Sequence, residues 1–184
     1  MTPQEINLSL ELTVDKLARN FYKTLLALAC VSMLAALLSI TLNIATRLVD
    51  GWSIPGLDGY AGYSIAAALF LALPSAFRQG DHIRVTLLLQ NSPPRMRVAL
   101  EYWSLGAGAL LSLYIAWFAC RMVWLSYTLH DVAPTGDATP MWIPQLTMAV
   151  GCIGFAVSMV HALVARLSGG TFFEVASGEA TRSE

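Results

Sequence analysis

Four stretches of the chain stay apolar for a long distance, and polar or turn-forming residues separate them. Thr24 to Ala45 carries no formal charge, and Ala61 to Phe77 is bracketed by Asp58 and Arg78. Tyr102 to Cys120 is uncharged inside a longer helical pattern, and Trp142 to Ala165 has His161 as its one ionisable side chain. A helix rises about 1.5 Å per residue, so roughly 20 apolar residues cross about 30 Å of hydrocarbon. Hydrocarbon offers backbone polar groups no partner, and a helix satisfies them internally. The pattern predicts an all-α membrane protein with four transmembrane helices, at about 24–45, 61–77, 99–127 and 142–165. The chain then divides into an N-terminal segment (1–20), a four-helix domain (21–165) and a tail (166–184).

Two flanking segments show helical amphipathicity. Leu10, Val14, Leu17 and Phe21 share one face, so an interfacial helix near 9–20 should lead into the first span. Ile83, Leu87 and Leu88 do the same near 81–90, with Arg84 on the polar side, until Asn91-Ser92-Pro93-Pro94 stops the run. The first apolar core exceeds that of a cleaved signal peptide and lacks a small-x-small site after it, so it is expected to be a retained span.

Charge sets the expected orientation. Lys16, Arg19 and Lys23 precede span one, Arg78, Arg84, Arg95 and Arg97 lie between spans two and three, and Arg166 and Arg182 follow span four. These are nine of the eleven Lys and Arg residues, which places both termini and the central loop in the cytoplasm. The opposite side holds Arg47, Asp50, Trp52, Asp58, His130, Asp131 and Asp137.

Within the spans, small residues recur at every fourth position: Ser64-Ala68-Ala72-Ala76, Ser104-Gly108-Ser112-Ala116-Cys120 and Gly154-Ser158-Ala162. Such rows let helices approach closely. Pro74 should kink span two near Phe70, and Asn43 should hydrogen-bond to another helix. Glu101 stands at the cytoplasmic mouth of span three, level with Lys23 and Arg78, while Arg121 lies near the outer interface, where it can snorkel. No acidic residue falls mid-membrane, which disfavours a proton-coupled exporter built around a central carboxylate.

Soluble domains average about 25% charged residues, whereas this chain has 12%, with 56% hydrophobic. The net charge of −1 gives no basic field for nucleic acid. Cys30, Cys120 and Cys152 sit singly in apolar runs, without zinc or redox spacing. The sequence has no GxSxG elbow and no phosphate-binding loop, so no catalytic residue, metal or cofactor is expected. The one alternative from another class uses His82 and His161 as axial ligands of a haem held in an electron-transfer bundle.

Two motifs carry a family resemblance. Gly80-Asp81-His82-Ile83-Arg84-Val85 follows span two, with a leucine run and a proline turn behind it. Pro140-Met141-Trp142-Ile143-Pro144 opens span four, and Gly151 and Gly154 follow. Over roughly residues 20–165 the chain resembles the small membrane subunit (Q-type, DctQ-like) of tripartite ATP-independent periplasmic (TRAP) transporters. Thr86 stands where that family often has an acidic residue. The resemblance implies a non-enzymatic subunit of a bacterial inner-membrane transporter that takes up an organic acid such as a dicarboxylate. Its partners would be a large membrane subunit carrying the substrate and sodium sites, a periplasmic binding protein, and membrane lipid. His82, Arg84, Arg78, Glu101, Gly108 and Ser112 are then the expected contacts to the large subunit or to lipid. Arg47, Asp50, Trp52, Arg121, Asp131 and Asp137 form the expected docking surface for the binding protein.

Overall fold

The structure is a computed structural model that describes residues 3–48, 54–79 and 93–167, without the side chains of 3–15, Pro94, Arg95, Arg97 and Glu101. Four helices form among these residues: α1 (Pro3–Leu48), α2 (Leu57–Arg78), α3 (Pro94–Leu129) and α4 (Trp142–Leu167). All four are long and apolar enough to cross a membrane. The segment near 9–20, expected as a separate interfacial helix, continues into span one without a break, because no glycine or proline interrupts the chain between Gln4 and Leu48. The expected surface helix near 81–90 lies outside the described residues.

The helices do not close into a ring. Contacts order them as α1–α2–α4–α3, with α1 and α3 on the flanks. Side-chain volume explains this order. Along α1 the positions turned inward are Tyr22, Leu25, Ala29, Ser32, Ala36, Ser39, Asn43 and Thr46, spaced alternately by three and four. Along α3 they are Leu105, Ala109, Ser112, Ala116, Ala119, Val123 and Ser126, with the same alternation. A 3.5-residue repeat keeps one narrow seam facing one neighbour as two helices wind left-handedly together. Apart from Leu25, Leu105 and Val123, most of the bulky Leu, Val, Met and Trp side chains described on α1 and α3 fall on the remaining, exposed positions.

The every-fourth-residue row of α3 behaves differently from the sequence expectation. Ser112 and Ala116 are buried, but Ser104 and Cys120 at its ends are exposed. Four residues turn a helix by about 400°, so a strict row of fours drifts around the surface, whereas alternating threes and fours stays on one face.

Helix α4 has two seams. Ala149, Cys152 and Ala156 meet Ala116 and Ala119 of α3. Gly151 and Gly154 instead meet α2: a Cβ on Gly151 would lie 2.5 Å from the Phe70 carbonyl carbon and oxygen, and one on Gly154 would lie 3.0 Å from Pro74 Cγ. Phe70 and Pro74 are connected in the helix as well. Proline lacks the N–H that would bond to the carbonyl four residues back, which is that of Phe70. Glycine at 151 lets α4 lie directly on this freed carbonyl. Leu25, Ala29, Ala67 and Leu71 fill the other side of α2, against α1.

Cross-helix polar and aromatic pairs mark two levels. At one end, the Arg78 guanidinium stands 5.6 Å over the Tyr22 ring and that of Arg166 stands 5.7 Å over the Tyr102 ring. At the other, Asn43 Nδ2 donates to Asp58 Oδ1 (2.5 Å), and the rings of Tyr127 and Trp142 meet edge to face at 5.8 Å. Twenty residues separate Asp58 from Arg78, a rise of about 30 Å, which equals the hydrocarbon thickness. Tyrosine, tryptophan and arginine at both limits are what an interfacial belt requires. The start of α1 and the end of α4 share one side, the terminal side; residues 54–56 and 130–141 occupy the other, the loop side.

Candidate functional site

Among the described residues, the loop side carries a cluster of side-chain hydrogen bonds between elements. Asn43 acts as the expected inter-helix group, and Arg47 joins it: its Nε donates to Asn43 Oδ1 (3.0 Å) and its Nη2 lies 3.5 Å from Asp58 Oδ2. Both charged side chains are largely exposed, so this ion pair adds little to stability. Asp50 and Trp52 lie outside the described residues.

Residues 130–141 fold back as a tight connection between α3 and α4. His130 ends α3 in the left-handed region (φ 54°), where its N–H bonds to the Tyr127 carbonyl. Ala133 N donates to Thr139 O (2.8 Å), Met141 N donates to Asp131 O (2.9 Å), and Val132 pairs with Pro140. Asp131 also accepts from Ser126 Oγ at 3.3 Å.

Asp137 organises this connection. Thr135 Oγ1 donates to Asp137 Oδ1 (2.6 Å), Thr139 Oγ1 donates to Oδ2, and Tyr60 adds a further hydrogen bond from α2. Gly56, at φ 91°, lies so close that a Cβ there would stand 2.6 Å from the Asp137 carboxyl carbon. The carboxylate thus ties the α3–α4 connection to the start of α2. Hydrogen bonds from Thr135, then Thr139 and Tyr60, hold its pKa below the ordinary carboxylate value. A depressed folded-state pKa contributes stability above the unfolded value of 3.8, and that contribution is lost as pH falls through the folded value. Backbone hydrogen exchange across 131–141 should therefore be flat from pH 8 to 5, once corrected for intrinsic rate, and loosen only below about pH 4. Asp137→Asn should loosen the same segment at neutral pH; equal protection in variant and parent would remove this role.

The other expected site residues fall as follows. Gly108 approaches α4, where a Cβ would be 3.4 Å from Met159 Cε, and Ser112, 2% exposed, donates to Ala109 O. Both serve the α3–α4 seam. Arg121 is exposed on α3. Arg78 ends α2 against Tyr22. His82 and Arg84 lie outside the described residues, as does the side chain of Glu101. His161 is half-buried on α4, away from the loop side.

Two features escaped the sequence reading. One is Tyr22, which is 2% exposed and begins the α1 seam; its spacing to Leu25 and Ala29 was the available signal. The other is the outer face of α3. Trp103, Leu110, Trp117 and Trp124 recur every seventh residue and are 69–74% exposed. Trp103 and Trp124 are about 32 Å apart along the helix, the two belt levels, so they read as interfacial anchors. Leu110, Tyr114, Trp117 and Phe118 lie between them, at hydrocarbon depth. The rings of Tyr114 and Phe118 meet at 4.6 Å with a 44° tilt, and the exposed Tyr114 hydroxyl has no hydrogen-bond partner among the described residues.

Among the described residues this geometry is an open row of membrane helices with a polar cap and a broad, exposed aromatic flank on α3. Neither a curated protein nor a solved structure matches the chain. The family model described as "Tripartite ATP-independent periplasmic transporters, DctQ component" matches residues 36–169, from the last third of α1 to the end of α4. The match takes in the end of α1, all of α2, α3 and α4, and the loop side, and the chain belongs to the DctQ family: it is a small multi-pass inner-membrane component of a TRAP transporter.

Proposed function

We infer that this subunit is the stationary scaffold for a large, sodium-coupled membrane subunit, in a system where a periplasmic binding protein delivers an organic acid such as a dicarboxylate. The observation that carries the reading is the flank of α3. A phenol at hydrocarbon depth with its hydroxyl unpaired is costly in lipid, and a polar group on an adjoining helix removes that cost. A row of helices with seams on one side and large side chains on the other enlarges a fixed frame without enclosing a solute path.

On this reading the terminal side, with Lys16, Arg19, Lys23, Arg78 and Arg166, is cytoplasmic, and the loop side meets the binding protein. The exposed charges there, Arg47 and Asp131, are the docking groups. Asp137 is turned toward its own threonines and shapes that surface from within. Altering Leu110 and Tyr114 together tests the scaffold: a tagged copy of this chain should then lose its large subunit during purification while remaining folded.

A further inference from the structure

A groove of about 750 Å³ opens on one face of the helix row, over α4 and between α1 and α3. Its floor is Ile153, Val157, Val160 and Val164. Leu113 and Trp117 of α3 form one wall, and α1 closes the opposite corner with Ala18 and Tyr22. Nearly every lining atom is apolar; Tyr22 and His161 line the groove toward the terminal end, and Trp117 and Cys120 line it further along α3. The Tyr22 hydroxyl is unusual there. The residue is 2% exposed, its backbone carbonyl accepts from Ser75 Oγ (3.0 Å), but its own hydroxyl has no hydrogen-bond partner among the described residues. A buried hydroxyl left unpaired is costly, so such a group usually has a partner.

We propose that the groove holds one phospholipid of the leaflet on the terminal side, its phosphate accepting from the Tyr22 hydroxyl and one acyl chain lying along α4. Two observations select this occupant. The first is length. From Val164 to Ile153 the floor runs about 16 Å, against about 15 Å for half of the hydrocarbon core. The second is charge. Arg78 stands 5.6 Å over the Tyr22 ring, and Arg19 and Lys23 flank Tyr22 on α1, so the polar end of the groove suits an anion.

A bound lipid would also explain why α1 and α4 touch so little. It would fill the space between the α1–α2 hairpin and α3, acting as a fifth packing element.

The test places a photo-crosslinking amino acid at Val157, 46% exposed, in the full chain expressed with its transporter partners in native membranes. After irradiation, mass spectrometry of peptides containing residue 157 should show a phospholipid adduct. Tyr22→Phe, which removes only the hydroxyl, should lower adduct yield about tenfold, and filling the groove with Ile153→Trp should abolish it. Thermal midpoints of both variants verify that they fold; a variant that does not is replaced by Val160→Trp. A peptide of another subunit captured at 157, or lipid capture unaffected by Tyr22→Phe and by groove filling, would overturn the proposal.

Discussion

Replacing Gly151 with alanine should cost this protein more stability than any other single-methyl addition along its spans. A Cβ at 151 would sit 2.5 Å from the Phe70 carbonyl and 2.8 Å from Phe70 Cβ. The first of these obstacles is backbone, which cannot swing aside as a side chain would. Helices α2 and α4 must separate, and the separation spreads to Gly154, where α4 also meets Pro74 and Leu25. Overpacking of this kind costs about 1–3 kcal/mol, and the upper end applies where only backbone can move. The control is Gly106→Ala on α3, where an added Cβ meets nothing within 4 Å. Gly→Ala in an open helical site is neutral to stabilising by about 0.4–1 kcal/mol. In detergent, Gly151→Ala should lower the thermal midpoint and the monodisperse yield, and Gly106→Ala should leave both unchanged or raised. Equal behaviour of the two would mean that α2 and α4 do not touch at the freed Phe70 carbonyl.

The second large effect concerns assembly rather than folding. Leu110→Ala with Tyr114→Phe removes an exposed aliphatic group and an exposed hydroxyl from the α3 flank. Neither side chain belongs to the α3–α4 seam or to the groove, so the fold should shift by no more than about 0.5 kcal/mol. Contacts at the centre of an interface carry about 2 kcal/mol or more each, so the pair should weaken association by roughly a hundredfold or more. The readout is the amount of large subunit retained by a tagged copy of this chain. Substituting Ala35 and Leu38, exposed on α1, gives a matched change elsewhere. Retention lost with the α3 pair and kept with the α1 pair supports the assigned face; the reverse moves the interface to α1.

Much of this architecture was legible in the chain. The four spans appear as uncharged runs of roughly the length a bilayer needs, and the limits at Asp58, Arg78 and Trp142 agree with the helix ends. Asn43 showed itself as a lone amide in an apolar run, and it bonds to α2 as such a group must. The order α1–α2–α4–α3 was not legible, because it depends on which face of each helix is small. In lipid, large apolar side chains fit outside as well as inside, so hydrophobicity does not mark the core. The marker is size and polarity at alternating threes and fours, as in Tyr22-Leu25-Ala29-Ser32, and a search for rows of fours passes over it.

The cap shows a different limit. Asp137 reads in sequence as an exposed loop charge available to a partner. Its structural role is written only in its flanks, Thr135 and Thr139, which stand two residues away on either side and supply hydroxyls. The contribution of Tyr60 comes from another element, and no local pattern announces it. The same holds for Tyr22 and Arg78, 56 positions apart in the chain and in contact in the fold.

The central claim is that these helices stay fixed while a companion subunit moves the solute, and locking them tests it most directly. With Cys30, Cys120 and Cys152 replaced by alanine, cysteine pairs at Asn43 and Asp58 and at Tyr127 and Trp142 would tie α1 to α2 and α3 to α4. A short thiol crosslinker closes both ties in the assembled transporter, which is then reconstituted in proteoliposomes with its binding protein. Sodium-driven uptake should be the same, within about twofold, before and after crosslinking. If closing the ties stops uptake while the complex stays intact, these helices move during transport, and the scaffold account is wrong.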